Sequence, residues 1–183
     1  IIYINKIRGI NMINKLPKIE LHCHLDGSVR VDTIIDIAKK ENIKLESYEK
    51  CDVEKLVQVP NDCTSLNEYL KRFDLANKVM QSRENIKRVT FELLEDAQKE
   101  NVKYIEVRFA PLLHLNGGLS IEEVIQSAID GINEAEKMYD IKGNIILCCM
   151  RTMSEDDAIL VVEEGKKFLN KGVVAIDLAG PEE

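Results

Sequence analysis

The sequence predicts an α/β fold built on a parallel sheet. Short apolar runs alternate with segments of helical period, the alternation gives four strands separated by helices, and two of the helices open on capping-box patterns. This βαβ order implies parallel strands joined by right-handed crossovers. Four strands fit either an open doubly wound sheet or the first half of a (β/α)₈ barrel. A complete barrel needs at least about 200 residues, so the barrel alternative requires more sequence than these 183 residues.

The elements follow from local patterns, taken in chain order. Residues 19–25 are apolar enough for a first strand, and a helix is expected over 28–42 because apolar residues recur on one side of it. After an irregular insertion, Ser65 and Glu68 form a capping-box pattern that predicts a helix to about residue 80. The remaining predictions are a helix around 86–97, a strand at 104–111, a helix opened by the capping box at Ser120, a strand at 145–150, a helix at 154–170 and a strand at 173–180.

Composition excludes several classes of function. Lys and Arg number 25 against 32 Asp and Glu, a net charge of −7, and no Lys/Arg-rich run occurs, so nucleic acid and anionic membranes are not expected as partners. No run approaches the roughly 20 apolar residues of a membrane span, and a cytoplasmic location is expected. Five cysteines without a C-x-x-C pattern indicate reduced thiols rather than disulfides.

The two ends of the sequence suggest its domain organisation. The chain begins with Ile, and Met12 stands just before the first patterned segment, so residues 1–12 are interpreted as a disordered arm or an upstream extension. Residues 13–183 are then expected to form the N-terminal part of one domain, because the sequence ends directly after a predicted strand.

The first strand carries the strongest chemical signal. Side chains alternate across a strand, which places Glu20, His22, His24 and Asp26 on one face. In a buried parallel strand such a polar row requires a metal, a charge partner or a cavity. Two histidines at i and i+2 can both reach one zinc ion through Zn–N bonds of about 2.0–2.1 Å. A pair of hydrogen-bonded core histidines is the alternative.

Four segments carry a further signal: residues 16–28 (LPKIELHCHLDGS), 104–111 (YIEVRFAP), 147–151 (LCCMR) and 173–180 (VVAIDLAG). In this order they resemble the first four strands of the adenosine deaminases, zinc hydrolases of the amidohydrolase superfamily with a (β/α)₈ barrel. The resemblance therefore spans nearly the whole chain. It implies the first half, about four βα units, of a (β/α)₈ metal-dependent hydrolase barrel.

The resemblance also implies roles for individual residues. His22 and His24 correspond to the first two zinc ligands, Asp26 to the residue that holds the ribose 5′-hydroxyl, and Gly180 to the glycine whose N–H meets a purine nitrogen. His24 lies close enough to the substrate to count as a substrate contact too. Relatives that act on adenine tend to carry Glu at the position of Asp26, and relatives that act on N6-methylated nucleotides tend to carry Asn there. Asp26 therefore favours a free nucleoside as the substrate.

A second group of residues is expected to surround the base. The helix after Ser65 resembles the apolar lid of the family, with ordinary core packing as the alternative, and Met150 is interpreted as a pocket wall. The group consists of Leu66, Tyr69, Leu70, Phe73 and Met150. Asp177 is expected to support the metal site or to form a buried ion pair, and His114 to be a surface or capping histidine.

The implied reaction is zinc-dependent hydrolytic deamination of adenosine, and of 2′-deoxyadenosine, to inosine and ammonia in purine salvage. Zn²⁺ is the implied cofactor, and the nucleosides and water are the implied partners, together with the missing C-terminal half of the barrel. The glutamate proton shuttle and the orienting histidine are expected after residue 183, so no catalytic residue is assigned here and the fragment alone is expected to be inactive. Alternatives are an adenine deaminase, another amidohydrolase, or a non-catalytic α/β relic.

Overall fold

The computed structural model describes residues 15–181, which form a four-stranded parallel sheet with helices in its crossovers. The elements are β1 (Lys18–His24), α1 (Val31–Lys40), α2 (Lys50–Val57), α3 (Leu66–Leu70), α4 (Asp74–Val79), α5 (Arg83–Lys99), β2 (Val102–Phe109), α6 (Ile121–Met138), β3 (Lys142–Met150), α7 (Glu155–Lys166) and β4 (Val173–Ala179), with 3₁₀ turns at Lys71–Phe73 and Pro111–His114. The strand order β1-β2-β3-β4 confirms the parallel α/β prediction. The predicted arm at residues 1–12 lies outside the described residues.

The sequential strand order decides between the two predicted arrangements. A doubly wound sheet reverses its strand order at a switch point, whereas each of these strands pairs with its neighbour in sequence. The register places His24 opposite Arg108 and Cys148 opposite Asp177. The fold is therefore the four-stranded first half of a (β/α)₈ barrel.

The insertion between β1 and β2 departs most from prediction. It contains α2, which the sequence patterns did not predict, and the expected helix over 65–80 is divided into α3, a 3₁₀ turn and α4. The Ser65 side chain caps no helical N–H, so the capping-box prediction there is wrong. Ser120 does form the predicted box with Glu123, and Ser154 forms another with Asp157.

Helices α5 and α6 pack closely beside β2 and β3. The closest approach is at Gly131, which is buried in α6; a Cβ atom built there would lie 2.5 Å from the Lys87 carbonyl oxygen and 2.8 Å from Thr90 Cβ. The hydrophobic core between sheet and helices includes Leu94, Ile105, Val107, Ile125, Ile145 and Leu147.

We expect Gly131→Ala to destabilise the fold by about 1–3 kcal/mol, because the added methyl group forces α5 and α6 apart. The measurement is the free energy of unfolding in urea. Asn133→Ala on the exposed side of the same helix is the control, and its higher helix propensity should leave stability equal or slightly greater. Equal stability of the Gly131 variant and wild type would contradict this packing argument.

Both outer strands expose apolar side chains. Ile19 and Leu21 of β1 are 69% and 56% exposed, and Ile176 and Leu178 of β4 are 45% and 54% exposed. Because β1 is an outer strand, Glu20 and His22 are also exposed, and the prediction that its whole polar face is buried is wrong for them. Among residues 15–181, no helix combines the length and apolarity that crossing a membrane would require.

Candidate functional site

A cavity of about 230 Å³ lies where the four strands end. We call it the strand-end cavity; its lining includes every residue predicted to touch the substrate, namely His24, Asp26, Leu66, Leu70, Phe73, Met150 and Gly180. The carboxyl ends of the strands are where (β/α)₈ barrels carry their active sites. The fold therefore brings together residues that are more than 150 positions apart in sequence.

β1 delivers the two predicted metal ligands to this end of the sheet. The His22 and His24 rings have centroids 5.5 Å apart, and His24 Nδ1 is 3.6 Å from Asp26 Oδ1. The backbone N–H of Gly27 donates to the same Asp26 oxygen at 3.1 Å, which fixes the carboxylate beside the ring. His24 and Asp26 line the cavity, whereas His22 lies beside His24 without lining it.

The two imidazoles fit a zinc ion as part of its ligand set. Neutral imidazole nitrogens are common zinc ligands, and the rings are close enough to share one ion. A catalytic zinc site needs at least three protein ligands. Within residues 15–181 no group of three or more His, Cys, Asp or Glu side chains is arranged to hold a metal, so this part of the chain provides an incomplete set.

A buried arginine connects His24 to the other strands, a role that the sequence analysis did not assign. Arg108 of β2 is only 7% exposed; its Nη1 contacts His24 Nε2 at 2.6 Å, and its Nη2 contacts Asp177 Oδ2 at 2.8 Å and donates to Cys148 Sγ. Nη1 also lies 3.0 Å from His24 Nδ1, and because a guanidinium only donates hydrogen bonds, the ring nitrogen that is unprotonated is the acceptor. One polar layer thus crosses all four strands.

Burial and the charges in this layer shift the pKa values of Asp177 and Cys148. Burial tends to raise the pKa of Asp177, but the charge of Arg108 and the hydrogen bond from the Leu178 N–H outweigh it and hold that pKa below its usual value. Burial raises the pKa of the Cys148 thiol to about 12. Asp177 is therefore a carboxylate at neutral pH and forms an ion pair, one of its two predicted roles. Cys148 is a neutral thiol rather than a nucleophile.

The predicted lid lies over the cavity rather than in the core. None of the five residues of α3 is buried, and Leu66 and Tyr69 are 56% and 40% exposed. The Phe73 ring stacks on His24 with centroids 5.9 Å apart, and Tyr69 packs edge-on against Phe73 at 5.3 Å. This arrangement favours the lid over core packing.

Gly180 adopts a conformation that favours glycine. Its φ of +105° is one that L side chains rarely adopt, whereas a Cβ atom there would meet only ordinary contacts, the nearest being Arg151 N at 3.5 Å. The backbone conformation is thus one reason for the glycine, and close approach of a base remains a prediction. Arg151 Nη1 donates to the Leu178 and Gly180 carbonyls, which stabilises this end of β4.

His114 is not the surface residue that was predicted as one option. It is 1% exposed, packs against Phe109, and its Nδ1 lies 3.0 Å from the carbonyl oxygen of Met80, the C-cap residue that follows α4. The capping option is therefore confirmed. Burial lowers the pKa of His114 to about 4.

This burial predicts an acid-sensitive stability. An unfolded histidine takes up a proton below about pH 6.5, whereas the buried ring resists protonation down to about pH 4. The neutral, buried His114 thus makes its full contribution to the free energy of unfolding above about pH 6.5. This contribution is lost as the pH falls from about 6.5 to about 4, and the loss is roughly 2 kcal/mol between pH 7 and pH 5. The measurement is the free energy of unfolding in urea at pH 7 and at pH 5. The difference between the two pH values should be smaller for His114→Gln than for the wild type, and an equal difference would contradict the assignment to His114.

The sequence signals for the missed residues were weak. Alternation along β2 places Arg108 on the same face of the sheet as Glu106, but an arginine in a strand indicates an ion pair as readily as a site. Ala110 and Leu113 also line the cavity. Ala110 falls in the predicted strand but lies just after β2, and Leu113 lies in the following 3₁₀ turn, which the sequence patterns did not predict.

Comparisons with known proteins cover almost the whole chain. Residues 17–183 match the family described as adenosine deaminase. Curated adenosine deaminases from Clostridium botulinum strain 657 and Clostridium perfringens strain ATCC 13124 are 64% and 61% identical over 169 and 173 residues, which is 92% and 94% of this chain. The chain spans about half the length of these relatives, 51% and 52%.

Solved structures agree with this fold. Arabidopsis ADAL, solved in complex with GMP, superposes with a TM-score of 0.78 at 31% identity over 93% of this chain and 51% of its own. An amidohydrolase from Burkholderia ambifaria, solved with bound Zn, superposes with a TM-score of 0.81 at 23% identity over 94% of this chain and 46% of its own. At this identity the similarity shows the fold alone.

Proposed function

This chain belongs to the adenosine deaminase family, and on that premise we propose that its protein hydrolyses adenosine to inosine and ammonia with a bound zinc ion. One observation carries the proposal: His24, Asp26, Met150, Gly180 and the lid residues all line one cavity. When bound, zinc lowers the pKa of its water and so supplies a hydroxide nucleophile near neutral pH.

In this proposal the residues of this chain bind the zinc ion and orient the substrate. His22 and His24 would provide two ligands to the zinc ion. A neutral imidazole has one acceptor nitrogen, so that nitrogen of His24 would turn from Arg108 to the ion when zinc binds. Asp26 would accept the 5′-hydroxyl of the ribose, and the backbone of Gly180 would meet the purine. Phe73 and the other lid residues exclude water from the base. A contact at the 5′ position does not distinguish ribose from deoxyribose, so 2′-deoxyadenosine is included.

Proton transfer is assigned outside the described residues. Among the residues that line the strand-end cavity none is a glutamate, and the metal ligand set is incomplete. We therefore propose that residues 13–183 form the N-terminal part of a deaminase barrel. We further propose that the protein acts in purine salvage and is located in the cytoplasm. The 183 residues by themselves should then show no turnover.

The test extends the reading frame past residue 183 and assays the product and the 183-residue chain for loss of adenosine absorbance and release of ammonia. Zinc-dependent turnover of adenosine by the extended product, without turnover by the shorter chain, is expected. Adenine serves as the competing substrate. A preference for adenine, or full activity after zinc removal, would overturn the assignment.

A further inference from the structure

A second cavity, of about 270 Å³, lies beside the strand-end cavity. We call it the side cavity. The linings of the two cavities share Asp26, Tyr69 and Phe73, so these three residues separate one space from the other. Tyr69 is 40% exposed and belongs to the lid, so this part of the partition is not buried in the core.

The side cavity has an aliphatic wall and a polar rim. Its aliphatic lining comes from the start of α1, the end of α2 and α4, and consists of Val29, Val31, Ile34, Val57, Val59 and Ala76. The polar residues are Ser28, Gln58 and Arg72, besides the shared Asp26 and Tyr69. Such a lining suits a small apolar group that carries one hydrogen-bond acceptor.

The charges around the side cavity disfavour an anion next to Asp26. The Asp26 carboxylate stands on the boundary of the two cavities. The Arg72 guanidinium is partly balanced, because Nη2 lies 3.5 Å from Glu68 Oε1 and Nη1 donates to the Lys55 carbonyl at 3.0 Å. Arg72 Nε is buried and has no acceptor within residues 15–181. An uncharged group with an acceptor atom fits this pattern better than a dianion does.

We propose that the side cavity receives the 5′ substituent of an adenosine, so that the substrates include 5′-thioether adenosines. The inference rests on the proposed function, because it is that function which places the ribose 5′ carbon at Asp26. A group attached to this carbon extends past Asp26 into the side cavity. Loss of the 5′-hydroxyl is tolerated because Asp26 keeps the Gly27 N–H donor. The reaction is unchanged: water replaces the 6-amino group, ammonia leaves, and no bond at the 5′ position changes.

The experiment compares two nucleosides and one nucleotide on the zinc-loaded full-length product: adenosine, 5′-deoxy-5′-methylthioadenosine and AMP. We expect the methylthio compound to be deaminated with kcat/KM within about a hundredfold of adenosine, and AMP to be at least about tenfold poorer than the methylthio compound. Turnover of adenosine without any turnover of the methylthio compound overturns this inference and leaves the proposed function standing. Absence of adenosine turnover overturns both.

Two variants locate the substituent. Val59→Phe fills the side cavity at a position that is 38% exposed, so the ring can be added without disturbing the core. It should lower the ratio of methylthioadenosine to adenosine turnover at least about tenfold. Met138→Phe, at the 62% exposed last residue of α6, which lines neither cavity, is the control and should leave the ratio unchanged. Equal ratios in both variants, or a preference for AMP over the methylthio compound, contradict the proposal.

Discussion

His24→Ala is expected to reduce adenosine turnover by the full-length protein at least about a thousandfold and to lower its zinc content sharply. His24 is the one imidazole that lines the strand-end cavity while also contacting Asp26, Arg108 and Phe73. Its removal deletes a proposed zinc ligand and the surface against which the lid closes. Metal analysis of the purified variant and kcat/KM for adenosine are the measurements.

His114→Gln is the matched control, since it removes an imidazole that neither lines the strand-end cavity nor is a proposed zinc ligand. This control should retain zinc and activity at neutral pH, where His114 is uncharged. His22→Ala should lose zinc as His24→Ala does. If His24→Ala retained full zinc content and activity within tenfold of wild type, the assignment of the metal site would be wrong.

Arg108→Met is expected to destabilise the protein by about 2–4 kcal/mol, the largest effect on stability that we predict. Removing one partner of a buried ion pair leaves the other charge without compensation. Asp177 is 31% exposed on its side chain, so water recovers part of that cost. His24 and Cys148 lose their contact with the guanidinium at the same time. The free energy of unfolding in urea is the measurement.

A double-mutant cycle with Asp177→Asn separates the ion pair from the packing of the arginine stem. Asp177→Asn alone leaves the arginine buried without its counter-charge and should also destabilise. The double variant should lose less stability than the sum of the two single variants, because neither charge then lacks its partner. Strict additivity would show that Arg108 and Asp177 do not interact, against the 2.8 Å separation of their side chains.

The β1 site could be predicted because it depends on simple alternation. His22 and His24 occur two residues apart in β1, and strand geometry alone places them on one face; Asp26 follows in the turn, where the Gly27 N–H holds its carboxylate. Ser120 could be assigned to a helix start because its capping partner, Glu123, is local in sequence. In both cases the interaction that decides the structure lies within a few residues.

The unpredicted features depend on contacts between distant segments. Arg108 acquires its role from His24 and Asp177, which lie on other strands. His114 is buried because the end of α4, far away in sequence, offers it a carbonyl group. Ser65 has the local pattern of a cap, yet α3 continues for only five residues before the chain tightens into a 3₁₀ turn over the cavity. Tertiary packing therefore overrode the local signal there.

The sequential order of the four strands has a consequence for how this protein can change over evolutionary time. Because every crossover moves to the next strand in the same rotational sense, the helices cover one face of the sheet and the polar layer with Arg108 lies on the other. Loops at the carboxyl ends of the strands can then vary without repacking the helices. Substrate range can therefore change mainly through these loops and fold stability mainly through the helix-covered face, whereas Arg108 contributes to both.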